Sequence, residues 1–198
     1  MSRSRAMLAL AFALAPAPLG AHPHVWVVAS AGYRLEAGRV VAIEVVLRFD
    51  DLLSASLVAD FDRDRDGRFD PAETARLERE TLAGLAELDW LSHLRVAGRP
   101  AGLRPPSGFR AEIAGGIVTW RFERQLETPV DPRQGGLALT LVDPSWYVDI
   151  VLDPEAPAEL AGEVPAGCAL SFAPDTSFER LLAPVPPVAV LLGCERSS

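Results

Sequence analysis

The chain has 198 residues, is 49% hydrophobic and carries a formal net charge of −8, and every one of its basic residues is arginine. That length suits one globular domain with room for a small insertion. The acid excess argues against a nucleic-acid partner, whose phosphates demand basic patches, and past the extreme N-terminus no window has the apolar length of a membrane span.

The N-terminus has the layout of a secretory signal. Met1-Ser-Arg-Ser-Arg5 is basic, Ala6 to Ala15 is apolar and uncharged, Pro16-Ala-Pro18 breaks the run, and Leu19-Gly20-Ala21 ends on a small residue. The run is short for an uncleaved anchor. Residues 1–21 are therefore expected to be a signal peptide removed after Ala21, which leaves 27 acids against 17 arginines, a net of −10.

His24 to Ala29 and Val40 to Phe49 are rich in β-branched and aromatic residues, and the turn between them contains Gly38, which predicts a hairpin. Asp50 or Asp51 then caps a helix in which Leu52, Leu53, Ser56, Leu57 and Phe61 recur at helical spacing. A carboxylate-rich loop follows. A second helix opens at Pro71, with Leu77, Leu82, Leu85 and Leu88 as its apolar stripe. The segment from His93 to Val96 returns to strand, and Gly98 to Pro106 is a turn-rich connection. Phe109 to Ile113 and Ile117 to Leu126 are joined by Gly115-Gly116, a hairpin signal. Leu137 to Val142 and Trp146 to Leu152 read as another strand pair around Asp143-Pro144. From Asp153 proline rises and periodicity fades, and Pro184-Val-Pro-Pro187 reads as extended chain. The predicted class is α+β: a mostly antiparallel β-sheet or sandwich over 22–152 with an EF-hand-like helix–loop–helix inserted at about 51–90, then a proline-rich segment over 153–198.

The loop reads Asp62-Arg-Asp64-Arg-Asp66-Gly67-Arg68-Phe69-Asp70-Pro-Ala-Glu73. Counted from Asp62, it places Asp at positions 1, 3 and 5, Gly at 6, an apolar residue at 8, Asp at 9 and Glu at 12 of an EF-hand loop. Calcium takes six to eight hard oxygens, and alternate residues of a tight loop aim oxygens inward. The expected ligands are Asp62, Asp64, Asp66, the backbone carbonyl of Arg68, Asp70 and the bidentate Glu73. Arg63, Arg65 and Arg68 point outward and offset part of the charge. One such loop in an exported protein reads as a structural calcium site. The alternative is a degenerate loop that folds without metal.

The three histidines are His22, His24 and His93. Cleavage after Ala21 gives His22 a free α-amine beside its imidazole, and that pair chelates transition metals. His24 lies on the same side of an extended chain, and His93 could close a three-histidine set. Imidazole suits zinc, copper and nickel alike. The alternative is two solvated terminal histidines and an ordinary surface one. Cys168 and Cys194 are not a CxxC pair, and export favours a disulfide between them over two free thiols.

His22-Pro-His-Val-Trp-Val27 after a signal peptide resembles the start of the domain-of-unknown-function 1007 family. So does the order of Phe49-Asp50-Asp51, the Asp-rich stretch Asp60–Glu73, Leu88-Asp-Trp-Leu-Ser-His93, Phe109-Arg110 and Asp143-Pro-Ser-Trp-Tyr-Val148. The resemblance covers most of 22–152. It implies a periplasmic protein, a component associated with an ABC-type transport system and similar to the periplasmic partner of a nickel/cobalt-type inner-membrane permease with a role in zinc acquisition. It makes His22, His24 and His93 candidate ligands for zinc, nickel or cobalt, with Asp50 or Asp51 as a fourth, oxygen ligand. The long His-rich loop of many zinc chaperones is missing.

Three functions follow as expectations. The first is a periplasmic metal-binding accessory protein for transition-metal transport, not an enzyme, with a structural calcium site and metal ions and a permease as partners. The second is a calcium-stabilised structural or interaction module without a transition metal. The third is a copper-dependent oxidative enzyme built on the N-terminal histidine, with Trp26, Trp146 and Tyr147 as platforms. No Gly-x-Ser-x-Gly elbow or Cys/His dyad supplies other catalytic chemistry.

Overall fold

A computed structural model of the chain describes residues 25–178 and 185–195. The expected signal peptide, His22, His24 and Pro184 lie outside those residues.

The first two strands, β1 (Val25–Glu36) and β2 (Arg39–Phe49), form the expected hairpin, with Glu36 opposite Arg39. Its two turn residues, Ala37 and Gly38, both have positive φ, and that turn geometry matches the twist of the strands it joins. Two helices, α1 (Asp51–Phe61) and α2 (Pro71–Glu80), come next and flank the acidic loop. Strands β3 (Ser92–Val96) and β4 (Arg99–Pro100) follow. The glycine pair Gly115-Gly116 then turns β5 (Ser107–Ala114) back into β6 (Ile117–Val130). The remaining strands are β7 (Leu137–Leu141), β8 (Val148–Leu152), β9 (Ala158–Gly162), β10 (Cys168–Pro174) and β11 (Val188–Cys194).

The strands form two sheets. One runs β5-β6-β2-β1-β8, and β9 also pairs with β1. The other runs β10-β11-β7-β3-β4. Among the described residues pairing is antiparallel except along β1, where β8 and then β9 lie parallel to it, at Val25–Ala29 and Ala31–Leu35. The architecture is α+β, with mostly antiparallel sheets.

Alternation along the strands builds the core. Val27, Ala29, Ala31, Tyr33 and Leu35 of β1 are buried, as are Val118, Trp120 and Phe122 of β6. Leu137, Leu139 and Leu141 of β7 and Val190 and Leu192 of β11 join the same cluster from the second sheet. The Tyr33 hydroxyl donates to the Val190 carbonyl at 2.8 Å, a buried bond from one sheet to the other. Trp120 packs edge-on against Phe49 and Phe109. Helix α1 buries Leu57 and Phe61, and Ser54 Oγ accepts from the Val118 amide at 3.0 Å, which fixes α1 on β6. Helix α2 buries Leu77.

Four expectations are corrected. Leu137 to Val142 and Trp146 to Leu152 are not partners, because β7 and β8 belong to different sheets. The Asp143-Pro144 turn carries the chain between sheets: the Asp143 carboxylate accepts from the Ser145 and Val148 amides and so starts β8 beside β1. The apolar stripe from Leu77 to Leu88 is not one helix. α2 stops at Glu80, and a 3-10 segment, Leu82–Leu91, follows and ends with Asp89, Trp90 and Leu91 at positive φ. Leu52 is not on the buried face of α1; it is 77% exposed, and Ser54 takes the inward position. The segment after Asp153 is not an irregular tail, because β9, β10 and β11 pair into both sheets.

Candidate metal centre

The loop between α1 and α2 gathers carboxylates and holds them with its own backbone. Asp62, Asp64 and Asp66 each offer an oxygen, and these oxygens all lie within 4.8 Å of one another. Asp62 is buried, while Asp64 and Asp66 are exposed. Asp62 Oδ1 accepts from the Asp66 amide at 3.2 Å and Oδ2 from the Gly67 amide at 3.1 Å. Asp64 Oδ1 accepts from the Asp66 amide at 3.2 Å, and Asp66 Oδ1 from the Arg68 amide at 2.8 Å. These bonds require a tight turn, and Gly67 supplies its positive φ of 79° without a Cβ penalty. Phe69 is half-buried against the core and ties the loop down, while Arg63, Arg65 and Arg68 are exposed.

Asp70 and Glu73 do other work. Asp70 caps α2 by accepting from the Ala72 and Glu73 amides at 2.7 and 2.8 Å. Glu73, itself buried, accepts from the Asp70 amide at 3.0 Å and completes a capping box. Its other oxygen accepts from the Arg63 amide at 2.6 Å, which closes the loop's first residues onto its last. The three-aspartate cluster therefore forms without Asp70 or Glu73 as members. The charge in the loop shows in Asp64. The bond from the Asp66 amide lowers its pKa, but loss of solvent and the charges of Asp66, Glu73 and Asp62 outweigh that and raise it. A hard divalent cation would relieve this repulsion, and the donor atoms are all oxygens, the chemistry calcium takes.

His93 sits on β3, opposite Thr140 of β7. Its Nε2 is buried and has no hydrogen-bond partner among the described residues. Its Nδ1 lies 3.9 Å from Asp89 Oδ2. The ring of Phe178, in the short 3-10 turn Thr176–Phe178, is tilted over the imidazole at 5.0 Å. Burial lowers the His93 pKa; the Asp89 charge and a hydrogen bond with the Val142 backbone work against it, while Arg124 and Arg95 add to it.

The described residues run up to the first predicted histidines but do not include them. Val142, at His93, is followed by Asp143, whose Oδ2 accepts from the Val148 amide at 2.9 Å. Val148 pairs with Val25, the residue after His24. Asp50 is occupied structurally: Oδ1 caps α1 through the Leu53 amide and Oδ2 accepts from the Trp26 amide, each at 2.8 Å. Asp51 is an exposed first-turn residue of α1. Cys168 and Cys194 form a disulfide between directly opposed positions of β10 and β11.

One residue escaped the sequence reading. Arg124 occupies an inward position of β6 and is 1% exposed. Its Nη1 donates to Asp89 O and to Ser92 O and Oγ, its Nη2 to Asp89 Oδ1 and Leu103 O, and its Nε to Arg104 O. Its guanidinium lies 4.8 Å over the Trp90 ring. Burial lowers its pKa, and Asp89 counters that. The signal was in the sequence: Val118, Trp120, Phe122, Arg124 and Leu126 share one phase, and a charge in an apolar phase needs a partner.

The profile of a family described as "Protein of unknown function (DUF1007)" matches residues 7–181. A protein of Spirochaeta aurantia, described as "Uncharacterized 15.5 kDa protein in trpE 3'region", is 30% identical over 104 residues, which is 52% of this chain and 74% of that protein.

Proposed function

The chain belongs to the DUF1007 family of proteins of unknown function, and on that footing we propose that it is an exported, periplasmic metal-binding protein whose loop Asp62–Glu73 is an EF-hand-like calcium site that braces the fold. One observation carries this reading: Asp62, Asp64 and Asp66 converge within 4.8 Å on a loop whose amides hold each carboxylate in place. Asp62 ends α1 and Glu73 lies in the first turn of α2, so a cation drawing on both would link the two helices. Asp70 and the Arg68 carbonyl stand at the remaining ligand positions.

A second metal reading has its own support. The buried Nε2 of His93, without a hydrogen-bond partner among the described residues, offers a lone pair suited to zinc, nickel or cobalt. Among the described residues, contacts through Val142, Asp143 and Val148 lead from His93 to Val25; His22 and His24 enter this reading from the sequence alone. The protein would then serve as an accessory to transition-metal transport, receiving the cation and passing it to an inner-membrane permease. Asp50 is the poorer fourth ligand, since both its oxygens hold backbone amides.

Elemental analysis of the protein purified from the periplasm without chelators tests both. About one calcium per chain, lost in Asp62→Asn/Glu73→Gln, supports the calcium site, and calcium at background overturns it. Zinc, nickel or cobalt retained by the wild type and lost in His93→Gln supports the second site. Calcium alone leaves a calcium-stabilised interaction module.

A further inference from the structure

The 3-10 segment before β3 ends in a backbone that its sequence does not favour by itself. Asp89, Trp90 and Leu91 have φ of 50°, 47° and 59°, and none is glycine. Such conformations persist only where surrounding contacts over-determine them. Here the contacts come from Arg124, which grips the Asp89 carbonyl, the Asp89 carboxylate and Ser92 together while Trp90 lies under its guanidinium. Asp89 Oδ1 is thereby fixed at 2.8 Å from Arg124 Nη2, and the other oxygen, Oδ2, is turned toward His93 Nδ1 at 3.9 Å.

An imidazole whose Nδ1 faces a carboxylate keeps its proton there and leaves Nε2 as a bare lone pair. Nε2 is the nitrogen that is buried and has no hydrogen-bond partner among the described residues. Phe178 on the ring limits its rotation.

We propose that Asp89, clamped by Arg124, is a positioning residue that holds the His93 ring with Nδ1 protonated and presents Nε2 to a divalent d-block cation. This rests on the reading of His93 as a metal ligand. The arrangement matches a general property of metal sites, in which a carboxylate behind the ligating histidine fixes its tautomer and orientation, and loss of that group weakens metal binding about 10–100-fold. The specific content is that Arg124, a charge buried in the sheet, sets the direction of the carboxylate.

The test uses the exported chain without chelator-binding tags. Nitrogen-15 NMR of the imidazoles, with His93 assigned by His93→Gln, reads the tautomer, and competition against a chromophoric chelator reads zinc affinity. The expected result is a wild-type His93 protonated at Nδ1, with Nε2 shifting on addition of zinc. Asp89→Asn should lose about tenfold or more in zinc affinity, and Asp89→Glu should recover part of it. A His93 protonated at Nε2, or an Asp89→Asn protein with unchanged zinc affinity, overturns the positioning role while leaving the metal reading intact. Wild-type His93 resonances that ignore zinc overturn both. The tautomer measurement needs no variant of Asp89, so a folding defect in Asp89→Asn does not shield the proposal.

Discussion

Asp50 and Trp26 exchange hydrogen bonds: the Trp26 amide donates to Asp50 Oδ2 at 2.8 Å, and the Asp50 amide donates to the Trp26 carbonyl at 3.1 Å. The same carboxylate caps α1 through Oδ1. One side chain thus pins the start of β1 to the start of the helix that leads into the acidic loop. Asp50→Ala removes a helix cap, typically about 1 kcal/mol, and leaves the Trp26 amide without its partner. A loss of about 2 kcal/mol is expected in denaturant unfolding, with faster hydrogen exchange at Trp26. Asp50→Asn retains an acceptor and should lose less.

Calcium should stabilise the folded chain by mass action. At a hundredfold excess over Kd the gain is about 3 kcal/mol, visible as a rise in Tm over protein in chelator. Asp62→Asn should erase most of that rise, since Asp62 is the buried member of the cluster. An equal rise in wild type and Asp62→Asn would locate calcium elsewhere.

Arg124→Met should destabilise by about 3–5 kcal/mol, the range for breaking a buried ionic pair. Five backbone and hydroxyl acceptors lose their donor, and the turn at Asp89–Leu91 loses what holds it. Chemical denaturation measures the loss, and hydrogen exchange should show β3 opening more readily than β1.

Asp175 gives the fold an acid limit. Burial by itself would raise its pKa, but bonds from Thr140, Arg95 and Ser177 prevail and hold it at about 2. A carboxylate with a depressed folded pKa adds stability that is complete above its ordinary range and is lost as pH falls through the folded value. The window is therefore from about pH 4 down to about pH 2, and the component is about 2 kcal/mol. Asp175→Asn should show a smaller loss across that window in a pH series of thermal melts.

The Cys168–Cys194 bond closes β10 onto β11 across a sequence separation of 26. Reduction, or Cys168→Ala/Cys194→Ala, should cost about 3 kcal/mol, seen as a lower Tm in reductant. An unchanged Tm would show that strand pairing alone holds this edge.

Much of the fold could be read in advance because its signals are local. Turns at Gly38 and Gly115-Gly116, β-branched and aromatic residues in the first two strands, and the cap at Asp50 each act within a few residues. The misreadings are tertiary. Nothing local says that Asp143 sends the chain to the other sheet, because that depends on β1 offering a parallel edge to Val148–Leu152. The Leu77–Leu88 stripe looked like one helix because its spacing is helical, but α2 stops at Glu80 and a 3-10 segment follows, whose end at Asp89 is held by Arg124, 35 residues further on. The acidic loop was legible as a pattern, and the convergence of Asp62, Asp64 and Asp66 follows it. The double duty of Glu73, accepting from both Arg63 and Asp70, was not, since it depends on the fold of the loop.

The central claim is calcium at Asp62–Glu73, and isothermal titration of calcium into chelator-stripped protein tests it most directly. The account predicts one site per chain with a Kd on the order of 10⁻⁴–10⁻³ M, absent in Asp62→Asn/Glu73→Gln while that variant keeps the β-sheet circular dichroism of the wild type. No heat beyond dilution with folded wild-type protein, or equal binding in the double variant, would contradict it.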